Sequence, residues 1–309
     1  MAESLATSGP LPRQVALSTS PAQRLKDSWR LLRRSKLAFA GLIIVLVLIV
    51  LAIFGPKIAP YDPTKINVRH RTEAPSWDHL FGTDDRGRDI LSRVLYGARV
   101  SLKVGVIAVG ISATIGTFLG AISGYFGGWL DEVIMRLTDV LFAFPAILLA
   151  IAIMAMLGPS ASNAMIAIGV VYTPIFARIT RASVLAVREE VFVEAARAIG
   201  AGSPRIIARH IMPNVIAPII VETTLSLAFA ILAEAALSFL GLGTPPPAPS
   251  WGRMLSEGRD FMQDAPWMGF FPGMAIVLAV MGFNFLGDGL RDILDPRLKA
   301  VLDPRQRRD

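Results

Sequence analysis

The stretch that decides the fold runs from Arg188 to Asn214, REEVFVEAARAIGAGSPRIIARHIMPN. It reads as two short helices joined by a turn. The first spans about Arg188–Ile199, with Glu189 and Glu190 in its first turn, where carboxylates face the positive end of the helix dipole. Gly200 is suited to the left-handed conformation that closes a helix. Ser203-Pro204 then has the form of an N-cap followed by proline at the first helical position, and Pro213 closes the second helix. Ala195 and Ala196 let another surface approach closely, and Phe192 and Ile199 offer apolar grip.

Strongly apolar sequence flanks this polar hairpin on both sides. Six such stretches occur along the chain, at about Leu37–Phe54, Val104–Ile122, Val133–Leu157, Ala164–Ile179, Val215–Leu240 and Trp267–Leu286. At about 1.5 Å per residue, the uncharged run Leu37–Phe54 nearly matches a hydrocarbon core of ~30 Å. The composition agrees: of 309 residues 53% are hydrophobic and 18% charged, with a mean hydropathy of +0.54. Soluble domains carry about 25% charged residues, so a soluble enzyme is excluded. The sequence predicts an all-α polytopic membrane protein with six transmembrane helices. The first is a retained anchor and not a signal peptide, because a long polar and basic segment precedes it and Gly55-Pro56-Lys57 follows. The fourth is cut short by Arg178, and a buried or re-entrant segment is its alternative reading.

Lys and Arg concentrate in 1–36, 178–210 and 291–309, which orients both termini inside. The loop 55–99 is also basic, but a loop of that length can translocate despite its charge. The net charge of +7, which in a soluble protein would suggest nucleic acid, becomes an orientation signal and an attraction for anionic lipid. Arg197, Arg205 and Arg209 sit on a hairpin tethered to the membrane at both ends, which disfavours DNA. The organisation that follows is a disordered cytoplasmic tail (1–24), an interfacial helix and anchor span (25–60), an extracytoplasmic loop (61–99), a core (100–290) carrying the cytoplasmic loop 186–214, and a cytoplasmic tail (291–309).

Ionisable residues inside spans default to functional suspicion. Lys103 and Arg136 lie near span ends, and Arg136 is placed to pair with Asp139 one turn on. Glu222 and Glu234 share a stretch without Lys or Arg and point to faces about 120° apart by the helical period, so one shared ion site is disfavoured. With Asp139 and Asn284 they are candidates for the pathway or for interhelical polar contacts. Gly116, Gly120 and Gly124 repeat at a spacing that lets helix backbones approach. Pro145, Pro174 and Pro218 interrupt or bend the third, fourth and fifth spans.

Catalytic signatures are missing. There is no cysteine, and no Gly-x-x-x-x-Gly-Lys-Ser/Thr phosphate loop, so the chain is not expected to hydrolyse ATP. His70 and His79 share a loop with Asp78, Asp84 and Asp85 but lack a compact ligand spacing, so they read as surface histidines and no metal is predicted. The run Asp84-Asp85-Arg86-Gly87-Arg88-Asp89 reads as a solvated charged patch.

Glu194-Ala195-Ala196, three residues, Gly200, and then His210-Ile211-Met212-Pro213 resembles the EAA loop of binding-protein-dependent ABC transporter permeases. His210 and Met212 stand where the general motif has Ile and Leu. Ala59–Pro63, His79–Leu102, Ala235–Gly243, Pro249–Leu255 and Asn284–Arg297 are similar, in order, to the dipeptide, oligopeptide and nickel subgroup, in particular its second permease subunit type. The resemblance covers about residues 28 to 300. It implies a six-span permease, N-in and C-in, in a prokaryotic inner membrane, whose last five spans form the permease core. It implies a second homologous permease subunit, two ATP-binding subunits that hold ATP and Mg2+, and an extracytoplasmic solute-binding protein. Phe192, Glu194, Ala195, Ala196, Ile199, Gly200 and Pro213 would form the ATPase-coupling segment. Asp84, Asp85, Arg86 and Arg88 would lie near the binding-protein docking face. Peptide is the expected substrate, with nickel or another small solute as the alternative. An ion-coupled secondary transporter, the rival class, would show an internal repeat, and none relates 37–157 to 164–286.

Overall fold

The computed structural model describes residues 35–294. The expected tail and interfacial helix before Ser35, and the tail after Leu294, lie outside the described residues. Among the described residues the chain is helical, with one isolated β-bridge between Thr83 and Asp89.

Helix α1 (Lys36–Ile58) is capped by Ser35, whose hydroxyl accepts from the Ala38 N–H at 3.3 Å. It is apolar all round yet buries mainly the stripe Ala38, Gly41, Val45 and Leu48. One apolar face therefore packs while the rest meets lipid. A loop leads to α2 (Ile90–Phe126), which Asp89 caps by accepting from Ser92 N–H at 2.7 Å. This helix starts well before the predicted end of the loop at residue 99, because Arg93 and Arg99 are carried on its first turns.

The third predicted span is broken. Helices α3 (Gly128–Phe142) and α4 (Ala146–Leu157) meet at 90° across Ala143-Phe144-Pro145, where proline removes a backbone donor and restrains the residue before it. The fourth, expected to be the weakest, is the continuous 28-residue α5 (Ala161–Arg188). It carries Arg178 within it, and Pro174 does not break it. Helix α6 (Val191–Ala198) follows. A single turn, α7 (Ser203–Ile206), then passes through a π-helical turn at Ile207–Ile211 into α8 (Met212–Phe239). Pro218 lies inside α8 without ending it. Helix α9 (Trp251–Gly258) precedes α10 (Trp267–Leu294). Among the described residues, five helical segments are long and apolar enough to cross a membrane, and up to six if the bent pair counts as one span.

The most extensively packed helix pair is α2 with α5, and the predicted glycine stripe lies in its contact. A Cβ on Gly116 would stand 2.5 Å from the Thr173 carbonyl oxygen, on Gly120 2.3 Å from that of Ala177, and on Gly124 2.9 Å from that of Arg181. The register rises together on both helices, so α2 and α5 run parallel. Their shared core extends to α4, α6 and α8 through Val109, Met154, Phe176, Val193 and Val215. A second core, around Trp251, Val45, Ile231 and Phe283, joins α1, α9 and α10 to α2 and α8.

Candidate functional site

The predicted coupling hairpin is present with shifted boundaries. Arg188 ends α5, Glu190 is the N-cap of α6, and the first helical residue is Val191. Glu189 and Glu190 therefore precede the helix instead of occupying its first turn. Gly200 adopts φ +82°, and the Ala201 N–H reaches the Ala196 carbonyl at 3.0 Å, so the left-handed closure is as expected. Gly202, one residue earlier than predicted, caps the next turn, and Ser203 is already helical. Pro213 does not close the second helix. It lies at the start of α8, directly after the π-helical turn that carries the chain into that helix.

Helix α6 is two-sided. Val193 and Ala196 are buried against the chain's own core, whereas Val191, Phe192 and Ile199 are exposed at 77%, 43% and 86%, beside exposed Glu194 and Ala195. Ala196 is thus a packing residue and presents nothing outward, a correction to its expected place on the docking surface. Phe192, Glu194, Ala195, Ile199 and Gly200 share the open face or its flanking turn, whereas Pro213 lies apart on α8.

What anchors this hairpin was not foreseen. Arg188 donates to the Gly124 carbonyl at 2.9 Å, tying the end of α5 to the end of α2. Arg181 makes a bidentate pair with Asp131 at 2.6 Å from each nitrogen, and Ser123 also donates to that carboxylate. The ends of α2, α3 and α5 are so stitched together beside α6. Asp139 pairs with Arg178 at 2.6 Å and not with Arg136, which reaches Glu132 instead. The α5 helix places Arg178 over the Phe142 ring, 4.1 Å from its centroid, a position that no local spacing rule indicates.

Glu222 and Glu234 occupy separate environments, consistent with their predicted separation. Glu222 is half-buried, accepts from Ser226 at 2.9 Å and lines an open hollow with Pro218, Leu225 and Arg291. Glu234 is fully buried, accepts from Ser238 at 2.7 Å, and has the hydroxyls of Ser101 on α2 and Ser250 on the α9 cap beside it. Asn284 is half-buried on α10.

At the opposite end from α6, half of the expected solvated patch is buried. Asp84 and Arg88 are 4% and 2% exposed, while Asp85 is half-buried and Arg86 exposed. Arg88 Nε contacts Asp84 Oδ2 at 2.6 Å, and Glu257 Oε2 on α9 accepts from Arg88 at 2.9 Å and Arg93 at 2.7 Å. Burial pushes the Glu257 carboxyl up, but the charges of Arg93 and Arg88 and the hydrogen bond from Arg253 outweigh it, so the group lies below the usual range. Burial and the Asp84 charge push Asp85 up. Asp84 and Arg88 are therefore structural: they lock the loop onto α2 and α9. His79 is not a surface histidine either. Its side chain is 11% exposed and its Nδ1 is 2.9 Å from Asp89 Oδ1.

Residues 116–300 match the family described as the binding-protein-dependent transport system inner membrane component, and residues 23–75 match the N-terminal transmembrane domain of oligopeptide transport permease C. The dipeptide transport system permease protein DppC of Alkalihalophilus pseudofirmus is 50% identical over 94% of this chain and 95% of its own. The glutathione transport system permease protein GsiD of an Escherichia coli O6:K15:H31 strain is 47% identical over 93% of this chain and 98% of its own. Among solved structures, an inward-facing MetNI methionine ABC transporter matches with a TM-score of 0.53 at 18% identity, covering 65% of this chain and 96% of that one. That likeness concerns the fold alone. The chain belongs to the binding-protein-dependent permease family and is a multi-pass inner-membrane permease of the ABC importer type.

Proposed function

From that family membership, we propose that this chain is one of two permease subunits enclosing an ATP-driven import path for short peptides. Both termini face the cytoplasm. Two ATPase subunits, holding ATP and Mg2+, dock from that side, and a solute-binding protein delivers substrate from the other. Phe192, Glu194, Ala195, Ile199 and Gly200 form the surface that seats in an ATPase, with Pro213 starting the helix behind it. The observation that carries this reading is the two-sided α6: apolar Val191, Phe192 and Ile199 are exposed on a short capped helix whose other face is fixed in the core. A rigid lever with a free apolar face fits transmission of movement from a soluble partner. The anchors Arg188 and Arg181–Asp131 would carry that movement into α2 and α5 together. Glu222, Asp139 and Asn284 are assigned to the pathway side, Glu234 to interhelical bonding, and exposed Arg86 with Asp85 to the docking face. The dipeptide and glutathione permeases among the relatives support a peptide-type substrate.

The test is uptake of a labelled dipeptide by proteoliposomes holding the whole complex with its binding protein. Uptake should require ATP, and Glu194→Lys or Gly200→Val should leave ATP hydrolysis running without uptake at unchanged expression. Uptake sustained by a proton gradient with ATP withheld would reject the reading.

A further inference from the structure

The loop between α1 and α2 brings together His70, Glu73 and His79, one ligand atom from each lying within 4.8 Å of the other two. We propose that these three side chains form a binding site for a divalent transition-metal ion, with Zn2+ as the probe matched to two imidazoles and a carboxylate. The site lies outside the coupling hairpin and outside the buried ion-pair cluster, and none of its residues is used by either.

The surrounding structure prepares these groups for a metal in three ways. Asp89 fixes His79: its side chain is 1% exposed, Oδ1 meets His79 Nδ1 at 2.9 Å, and Oδ2 accepts from the Ser92 N–H and hydroxyl, both at 2.7 Å. With both carboxylate oxygens used as acceptors, a neutral His79 ring would donate through Nδ1 and present Nε2 as its ligand atom. A carboxylate behind an imidazole is the arrangement that orients metal-ligating histidines and raises their basicity. Next, the backbone between the other two ligands is held. Thr83, fully buried, donates its hydroxyl to the His70 carbonyl and accepts from the Glu73 N–H at 2.9 Å. Thr72 between them takes φ +50°, a left-handed conformation that a β-branched residue adopts only under constraint. That turn sets the Glu73 carboxylate 2.8 Å from His70 Nδ1. Finally, the two rings are already neighbours, with centroids 6.0 Å apart and planes inclined at 60°, and the Tyr61 ring lies 4.7 Å from that of His79.

His79 and Asp89 are partly or wholly buried, whereas His70 and Glu73 are about half exposed at 46% and 41%. The ion would therefore enter from the aqueous side and keep a position open to water. Three protein ligands with an open fourth position is a common zinc arrangement. Its effect would be mechanical. The ion would pin the short 3-10 turn at Val68–His70 to the segment around His79, and thereby stiffen the loop above the Asp84–Arg88–Glu257 cluster.

The experiment uses the full chain in detergent, purified through a tag without histidine and stripped with a chelator, then titrated with Zn2+ against a chromogenic competitor. We expect one Zn2+ per chain. His79→Gln and the double variant His70→Gln/Glu73→Gln should each weaken it by at least about tenfold, as does loss of supporting groups in known sites. Should a variant fail to fold, the unaltered chain still decides: Zn2+ should protect His70 and His79, but not His210, from diethyl pyrocarbonate modification read by peptide mass spectrometry. Stoichiometric binding that persists in the variants, equal modification of all three histidines with and without Zn2+, or no uptake at tenfold excess of Zn2+ would overturn the proposal.

Discussion

Replacing Gly120 by alanine tests whether the glycine stripe exists for backbone contact between α2 and α5. The new Cβ would stand 2.3 Å from the Ala177 carbonyl oxygen and 2.8 Å from Thr180 Cβ. Comfortable contacts lie near 3.5 Å, so the two helices must part by roughly 1 Å. Neither obstacle is the far end of a flexible side chain, so overpacking should cost about 1–3 kcal/mol. Alanine also gains up to about 1 kcal/mol of helix propensity over glycine, which would obscure a single measurement. Gly110 removes that ambiguity: it lies on the same helix, exposed, with nothing within 4 Å of its Cβ position. The propensity gain is common to both variants, so the difference between Gly120→Ala and Gly110→Ala isolates the contact. It should appear as apparent unfolding midpoints separated by roughly 2–12 °C, at about 2–4 °C per kcal/mol for a chain of this order. Tryptophan fluorescence of the purified chain follows the transition, with five tryptophans as reporters. Equal midpoints, or a lower one for Gly110→Ala, would refute the claim that the glycine stripe exists for backbone contact.

Three further outcomes follow from the ion pairs. Glu257→Gln removes one of the two carboxylates that buried Arg88 and Arg93 share, Asp84 remaining beside both, so the loss should fall below the about 3–5 kcal/mol of a buried charge left wholly unpaired; limited proteolysis should cut the 59–89 loop faster than in the parent. The same loop should show a matching pH response. The Glu257 carboxyl is depressed in the folded chain, so its stabilisation is complete above the ordinary value of 4.5 and is lost as pH falls through the depressed one. Protease resistance should therefore drop on acidification below about pH 4.5, and the Gln variant should lack that step. Asp139→Asn, by contrast, breaks a pair exposed at 48% and 53% and should shift the midpoint by less than the equivalent of about 1 kcal/mol, while Asp131→Asn, which removes a bidentate partner from Arg181, should shift it more.

The membrane class, the helical segments and the two-helix hairpin around Gly200 were legible because each depends on contacts close in sequence. Hydrophobic runs report lipid or core regardless of where the partner helix lies, and Gly200 signals a left-handed closure within its own turn. The errors came where the sequence offered two local solutions. Pro145 and Pro174 look alike in an apolar run. Only Pro145 follows Phe144 at the junction where α3 and α4 turn through 90°, whereas Pro174 is held in α5 by the close α2 contact at Gly116. Pro213 could end one helix or begin another, and the π-helical turn at Ile207–Ile211 settles it by carrying the chain through.

Charge partners were the least legible feature, and the reason is geometric. The i to i+3 rule gave Arg136 for Asp139, but a helix entering from elsewhere brought Arg178 closer. In the same way Asp84 and Arg88 read as solvated because their neighbours in sequence are polar, while Glu257, distant in the chain, arrives on α9 and completes the cluster. A charge can stay buried only where opposite charge or hydrogen bonds compensate it. A polar run with mixed signs is thus ambiguous until the chain is folded: the same residues that would solvate a loop can lock it. That ambiguity divides Asp84 and Arg88 from Asp85 and Arg86 within one short run, and of the four only the latter pair reaches solvent.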